Sequence, residues 1–274
     1  PFMVQKSDGG YNYASTDIAS IEHRVKEEKG DRLIYVTDMG QATHFAMLFE
    51  VAKMAGIYDP KKVRCDHVPF GLVLGPDGKK FKTRSGETEK LIDLLNTAVT
   101  KAKSILQERL AANESKFDPN DLEHLAHVLG IGAIKYADLS CNRTNDYMFS
   151  YERMLRFEGN TAAFMLYSYV RVHGIKRKIG EIGVDLNALN IQLEEPSEID
   201  LGVHLAQFSE TLMSVADDLY PNRLCEYLYE LAVKFNAFFR DCRVEGDAKQ
   251  NERLKLCELT AKTLKTGLNL LGLD

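Results

Sequence analysis

The sequence predicts an α/β region followed by an all-α region. Three observations carry this prediction. Short apolar and β-branched runs alternate with helix-like segments through about the first 75 residues, helical periodicity takes over from Thr88 onward, and two strong apolar stripes at helical spacing fall near the C-terminal end.

Val4 to Ala14 reads as a hairpin turning through Ser7-Asp8-Gly9-Gly10, and Thr16-Asp17 reads as the cap of a helix running toward Glu28. Leu33-Ile34-Tyr35-Val36 is a short buried strand. The helix after Gly40 carries Phe45, Leu48, Phe49, Ala52 and Ala55 on one face, and Val63 to Leu74 returns to strand. This βαβ rhythm predicts a parallel sheet with helices packed on it, as in part of a nucleotide-binding α/β domain. A helix starting near Thr88 carries Leu91, Ile92, Leu94, Leu95 and Ala98. Farther on, Leu224, Leu228, Leu231, Phe235 and Phe238 share a stripe, as do Leu256, Leu259, Leu264, Leu268 and Leu271. Pro221-Asn222 starts a helix, and Val244 to Gln250, with Gly246, is a loop. A helical bundle is the natural architecture there. The boundary is placed between Tyr151 and Gly159, giving domains 1–150 and 151–274.

The 274 residues, 45% hydrophobic and 27% charged, suffice for two domains with real cores. A formal net charge of −5 argues against a generally basic nucleic-acid binder, so any such partner must be met by local patches. The five cysteines form no CxxC pair, which fits free thiols in a reducing compartment. There is no signal-peptide pattern and no apolar stretch long enough to cross a bilayer. The chain opens at Pro1 without an initiator methionine, and it is expected to be a piece of a longer protein.

The stretch Lys80-Phe81-Lys82-Thr83-Arg84-Ser85-Gly86-Glu87-Thr88 places cations, hydroxyls and a glycine at a strand-to-helix junction. On residues alone, a phosphate-holding loop and a solvated turn both remain open. The glycines do not satisfy G-x-x-x-x-G-K-[ST], which disfavours a P-loop ATPase or kinase.

Lys82-Thr83-Arg84-Ser85-Gly86-Glu87-Thr88 after Phe70-Gly71-Leu72-Val73-Leu74-Gly75 resembles the second signature loop of class I aminoacyl-tRNA synthetases, in the form used by arginyl-tRNA synthetases. Other segments resemble the same family in the same order. These are Val4 to Tyr13, Tyr35-Val36-Thr37-Asp38 through His44-Phe45, Ile134 to Leu139, Gly159-Asn160-Thr161-Ala162-Ala163 and Tyr227 to Ala232. The resemblance implies the second half of a Rossmann-like catalytic domain followed by a helical anticodon-binding domain of the DALR type.

It further implies an arginine pocket from Tyr13, Asp17 and Gln41, where a carboxylate and oriented polar groups meet the planar guanidinium fork. The alternative is that Asp17 only caps its helix and Tyr13 only covers the hairpin. For ATP, it implies that Gly71, Leu72 and Val73 border the adenine with His44 nearby. Lys82, Thr83, Arg84 and Ser85 then close over the phosphates and stabilise the charge that grows during transfer. Arg84 stands where the consensus has its second lysine. Magnesium is expected with ATP, and no tightly bound metal is expected. His44 and His67 either touch ribose or phosphate or serve structurally, and His124 with His127 reads as helix surface or core.

Residues 151–274 hold 15 Lys and Arg against 19 Asp and Glu, a net of −4. Yet Gly159 to Gly180 carries Arg171, Lys176, Arg177 and Lys178 with no acid, interleaved with Phe164, Tyr167 and Tyr169. That mixture suits single-stranded RNA as well as a packed helix with a solvated basic end. The resemblance favours tRNA, with Asn160, Thr161, Tyr167, Tyr169 and Arg171 as contacts. Phe235, Phe238 and Phe239 read as core, and Tyr229 as a weaker RNA candidate.

The implied partners are L-arginine, ATP and tRNA-Arg, in the cytoplasm and without a membrane. The first signature of the family, of His-Ile-Gly-His type, is absent from the sequence. The fragment alone is therefore expected to lack adenylate synthesis and to leave part of its sheet core exposed. The competing reading is a non-catalytic tRNA-binding or interaction module that retains an arginine pocket.

Overall fold

A computed structural model of the protein describes residues 2–75, 77–79, 90–113, 117–180, 183–186 and 188–273. The chain forms two compact units, one of Pro1–Leu72 with Arg143–Tyr147 and one of Val73–Asn142 with Met148–Asp274. The packing thus divides the chain differently from a cut at 150/151, because the first long helices of the second unit pack with the later ones.

In the first unit, α1 (Tyr13–Lys26) starts at Asn12 rather than at Thr16-Asp17. Asn12 Oδ1 accepts from Ala14 N–H at 3.0 Å and Ser15 N–H at 3.4 Å, while Asn12 N–H donates to Ser15 Oγ. Because Asn12 claims those amides, Asp17 lies inside the helix, one turn further on. The expected hairpin is a single turn without strands, closed by Gly9 N–H to Lys6 O and Lys6 N–H to Gly10 O.

Strand β1 (Arg32–Asp38) runs parallel to β2 (Arg64–Phe70), in register from Arg32 opposite Arg64 to Asp38 opposite Phe70. The crossover is α2 (Ala42–Met54), so the βαβ unit is present as the pattern predicts. Ile21, Leu33, Phe45, Leu48, Ala52 and Val63 form its core. On the other face of β1, Ile34 and Val36 are 46% and 62% exposed. Asp66 sits between two guanidinium groups, 2.8 Å from Arg32 Nε and 2.9 Å from Arg64 Nε. The expected strand from Val63 to Leu74 is interrupted at Gly71-Leu72 and resumes at Val73–Leu74.

The second unit contains α3 (Leu91–Ala111), α4 (Leu122–Ser140), α5 (Tyr151–Met154), α6 (Ala162–Ile179), α7 (Pro196–Ala206), α8 (Phe208–Asp218), α9 (Asn222–Asp241) and α10 (Gln250–Leu270). On α3 the buried face is Leu94, Ala98, Ala102 and Leu106, whereas Leu91 and Ile92 are exposed in its first turn. Helix α4 approaches α3 so closely that a Cβ on Gly130 would lie 2.7 Å from Val99 Cα. Only glycine fits there.

Leu224, Leu228, Leu231, Phe235 and Phe238 of α9 are buried in one core with Leu256, Leu264, Leu268 and Leu271. Leu259 and Phe239 depart from expectation and are exposed. A buried ion pair joins α7 to α10, with Arg253 Nε 2.7 Å from Glu198 Oε1. Arg253 Nη1 also donates to Arg243 O, and Glu198 Oε2 accepts from the N–H groups of Glu194 and Glu195. Burial pushes the Glu198 carboxyl up, but these amides and the guanidinium outweigh it and hold the carboxyl below its ordinary value. No described helix is long and apolar enough to cross a membrane.

Candidate functional site

In open α/β sheets, ligands bind beyond the carboxyl ends of parallel strands, and of the expected small-molecule residues Gln41 and His44 follow the end of β1 while Gly71 and Leu72 follow that of β2. β1 ends at Asp38, whose side chain accepts from Gly40 N–H at 2.8 Å and tightens the chain into a 3-10 turn, Met39–Gln41. That turn sets Gln41, which is exposed, immediately before α2 and His44 in the first turn of the helix. On α1, Tyr13 and Asp17 are four residues apart and share a face. Tyr13 is 86% exposed. Asp17 Oδ2 lies 2.7 Å from His44 Nε2.

The resemblance implies arginine for Asp17, with His44 near ATP. Joined in this way, they form one device that fixes the direction of the Asp17 carboxylate. Asp17 is therefore a positioned acid rather than a helix cap.

His67, farther back on β2, is occupied structurally. Its Nε2 shares a 2.8 Å hydrogen bond with Thr37 Oγ1, and its ring stacks on Phe45 with centroids 4.8 Å apart and planes at 13°. Burial first, and then the Arg143 charge, lower its pKa, so the ring is neutral at neutral pH. Gly71 and Leu72 follow the end of β2, and Val73 begins the next strand. Lys82, Thr83, Arg84 and Ser85 lie outside the described residues.

The helical unit holds an open groove of about 740 Å³, lined among others by Tyr167, Arg171, Arg177, Lys178, Phe239 and Arg243. The Arg171 guanidinium sits 4.9 Å from the centre of the Tyr167 ring and 5.4 Å from that of Phe239, and its Nη1 donates to Asn236 Oδ1. Both rings are exposed enough to be touched, at 49% and 41%.

The other expected RNA contacts are placed differently. Thr161 is 8% exposed, and its hydroxyl caps α6 by accepting from Phe164 N–H while donating to Arg156 O. Asn160 Oδ1 accepts from Tyr136 O–H at 2.7 Å. Tyr169 packs on the core and stands edge-on to His173, and Tyr229 packs on Phe164. His124 and His127 are exposed on α4. No group of three or more metal-ligating side chains occurs among the described residues.

Residues 1–151 match the family of class I tRNA synthetases for arginine, in its catalytic domain. The chain belongs to the class I arginyl-tRNA synthetase family. Residues 165–274 match the DALR anticodon binding domain, so part of a class I catalytic domain is followed by a helical domain of that type. The arginine–tRNA ligase of Protochlamydia amoebophila is 62% identical over 274 residues, covering all of this chain and 46% of the relative. That of a Picosynechococcus species is 54% identical, again over the whole chain and 47% of the relative. The solved arginyl-tRNA synthetase of Plasmodium falciparum superposes with a TM-score of 0.86 at 34% identity, covering all of this chain and 46% of that one. The chain therefore spans about half the length of the relatives it matches.

Two features of these sites escaped the sequence. The Asp17–His44 pair joins residues 27 positions apart, and no spacing rule connects them. Phe239 lies four residues after Phe235, as a core residue would, and only Arg171 against its ring shows that it faces the groove.

Proposed function

We propose that the protein serves arginine–tRNA ligation, joining L-arginine to tRNA-Arg at the expense of ATP, with AMP and diphosphate as the other products. The observation that carries this reading is the Asp17 carboxylate, oriented at 2.7 Å by His44 beside the carboxyl edge of a parallel strand pair. Arginine meets Asp17 through charge-assisted hydrogen bonds, with the exposed Tyr13 and Gln41 as further polar partners. Lysine offers a point charge without the planar fork and is disfavoured.

The arginine carboxylate then attacks the α-phosphorus of ATP and diphosphate leaves. Gly71, Leu72 and Val73 border the adenine, His44 lies toward the nucleotide, and Lys82, Thr83, Arg84 and Ser85 stabilise the growing charge on the phosphates. Magnesium accompanies ATP and shields its phosphates. In the second step the terminal ribose hydroxyl of the tRNA attacks the activated carbonyl and AMP departs.

The groove beside α6 and α9 supplies the RNA contact, with Tyr167 and Phe239 as stacking faces and Arg171, Arg177, Lys178 and Arg243 near phosphates. The two family matches support a functional division near residue 150, with catalysis in 1–150 and anticodon binding in 151–274. The cytoplasm is the compartment that this chemistry implies.

Calorimetry with arginine tests the pocket. Asp17→Ala should weaken arginine binding about tenfold or more, the scale of a lost hydrogen bond to a charged group. Unchanged affinity would overturn the assignment. Arg171→Ala should weaken tRNA-Arg while leaving arginine binding as it was.

A further inference from the structure

The chain returns from the second unit for only five residues, Arg143–Tyr147, and these brace the end of β2. Hydrogen bonds fasten them. Arg143 Nη1 donates to Pro69 O at 3.0 Å, and Gly71 N–H donates to Arg143 O at 2.8 Å. Leu72 N–H donates to Asp146 Oδ1 at 2.6 Å, and Tyr147 N–H donates to Leu72 O at 3.1 Å. The fit is tight enough to dictate a residue type. A Cβ on Gly71 would lie 2.6 Å from the Asn145 carbonyl carbon and 2.9 Å from Asp146 N, both rigid backbone. The need for glycine at position 71 thus arises from this peptide rather than from a ligand.

Gly71-Leu72 is where the strand from Arg64 breaks off, so the ladder with Arg32–Asp38 no longer fixes its backbone. The amides of Gly71 and Leu72 and the carbonyl of Leu72 are all directed at Arg143–Tyr147. Among the bonds made to the Gly71-Leu72 backbone, the one to Asp146 has a side-chain carboxylate as its acceptor, and such charge-assisted bonds are roughly twice as strong as neutral ones. It also comes from a side chain, so it can be removed without rebuilding the backbone.

We propose that Asp146 is a positioning residue for nucleotide binding, holding Leu72 N–H so that the Gly71-Leu72 backbone presents a preformed wall to the adenine of ATP. This rests on the reading that residues 71–73 border the nucleotide. With the amides of Gly71 and Leu72 already engaged, that wall contributes shape and apolar contact to the purine rather than N–H donors. Preorganisation is the gain, since a backbone already held in its bound conformation loses less entropy when ligand arrives.

The test is calorimetric titration of the chain with ATP and, separately, with arginine, for the native protein, Asp146→Ala and Asp146→Asn. Asp146→Ala should weaken ATP about tenfold or more and leave arginine within about twofold. Asp146→Asn keeps an oxygen at the same position and should recover ATP affinity to within about threefold of native, through a neutral bond. An Asp146→Ala variant that binds ATP like the native chain, while its Leu72 amide resonance has moved, would overturn the proposal. So would equal losses for ATP and arginine with a lowered melting temperature, which mark a merely structural role. If saturating ATP leaves the native Gly71 and Leu72 resonances in place, the underlying assignment of the adenine site has failed instead, and the proposal falls with it.

Discussion

The two units bury apolar surface with unequal completeness. In the helical unit the stripe of α9 is closed on every side that matters, with Leu228, Leu231, Phe235 and Phe238 all at 0% exposure. In the βαβ unit the inner face of β1 is covered by helices, while Ile34 and Val36 on the outer face stand 46% and 62% exposed. Parallel sheets are ordinarily covered on both faces, because their crossovers place helices there. A helical stripe needs only its neighbouring helices to be satisfied, whereas a parallel strand pair with one covered face is half of a layer. The helical unit should accordingly carry most of the stability of the chain.

The largest expected effect lies in that unit. Arg253→Met strands the buried Glu198 carboxylate and should cost about 3–5 kcal/mol in urea unfolding. The double variant Glu198→Leu/Arg253→Met should recover much of the loss, because no charge is then left unpaired in the core. Acid acts through the same pair. A carboxyl held below its ordinary value contributes stability that is present above about pH 4.5 and is lost as pH falls through the lower folded value. A single variant with an unchanged unfolding midpoint would remove the buried network from the account of why the helical unit is the stronger.

The two faces of β1 offer a smaller and more direct comparison. Leu48→Ala, beneath the covered face, should cost about 2–5 kcal/mol through lost burial and the cavity left behind. Val36→Thr, on the open face, should stay within about 0.5 kcal/mol. Hydrogen exchange of the β1 amides measures both. Equal losses at the two positions would mean that the outer face is covered in solution, and the contrast between the units would disappear.

Much of this organisation was legible in periodicity. The stripe on α9, the crossover helix with Phe45 and Leu48 inward, and the loop around Gly246 all follow from apolar spacing and turn residues, because local packing enforces those patterns. The start of α1 was misread for a local reason, since Asn12 and Thr16-Asp17 are all plausible caps and only the closed hydrogen-bond set around Asn12 decides between them. The hairpin failed because a Gly-Gly turn signals a reversal of direction without ensuring that flanking residues find a ladder partner. What periodicity could not reach is long-range. Asp17 meets His44, Asp146 meets Leu72 across 74 residues, and Arg171 meets Phe239, contacts that arise only when separate elements pack. Lys82, Thr83, Arg84 and Ser85 lie outside the described residues, and their assignment rests on the family resemblance of one continuous stretch of chain.

The smallest expected effect concerns His67 and again separates the units. Its ring is buried against Phe45, bonded to Thr37 and repelled by the charge of Arg143, so protonation is harder in the folded chain than in the unfolded one. The unfolded state therefore binds a proton first as pH falls below about 6.5, and the βαβ unit loses stability until pH drops below the lower folded value. Above 6.5 this contribution is flat. The slope cannot exceed about 1.4 kcal/mol per pH unit for one group. Unfolding followed between pH 7.5 and 5.0 should show the loss in β1 and β2 amides, with Glu198 still ionised and the helical unit steady. His67→Gln should flatten the pH dependence whatever it does to the absolute stability, because glutamine does not titrate there. A slope that persists in His67→Gln would assign the proton uptake to another group and detach the pH sensitivity of this unit from the stacked histidine.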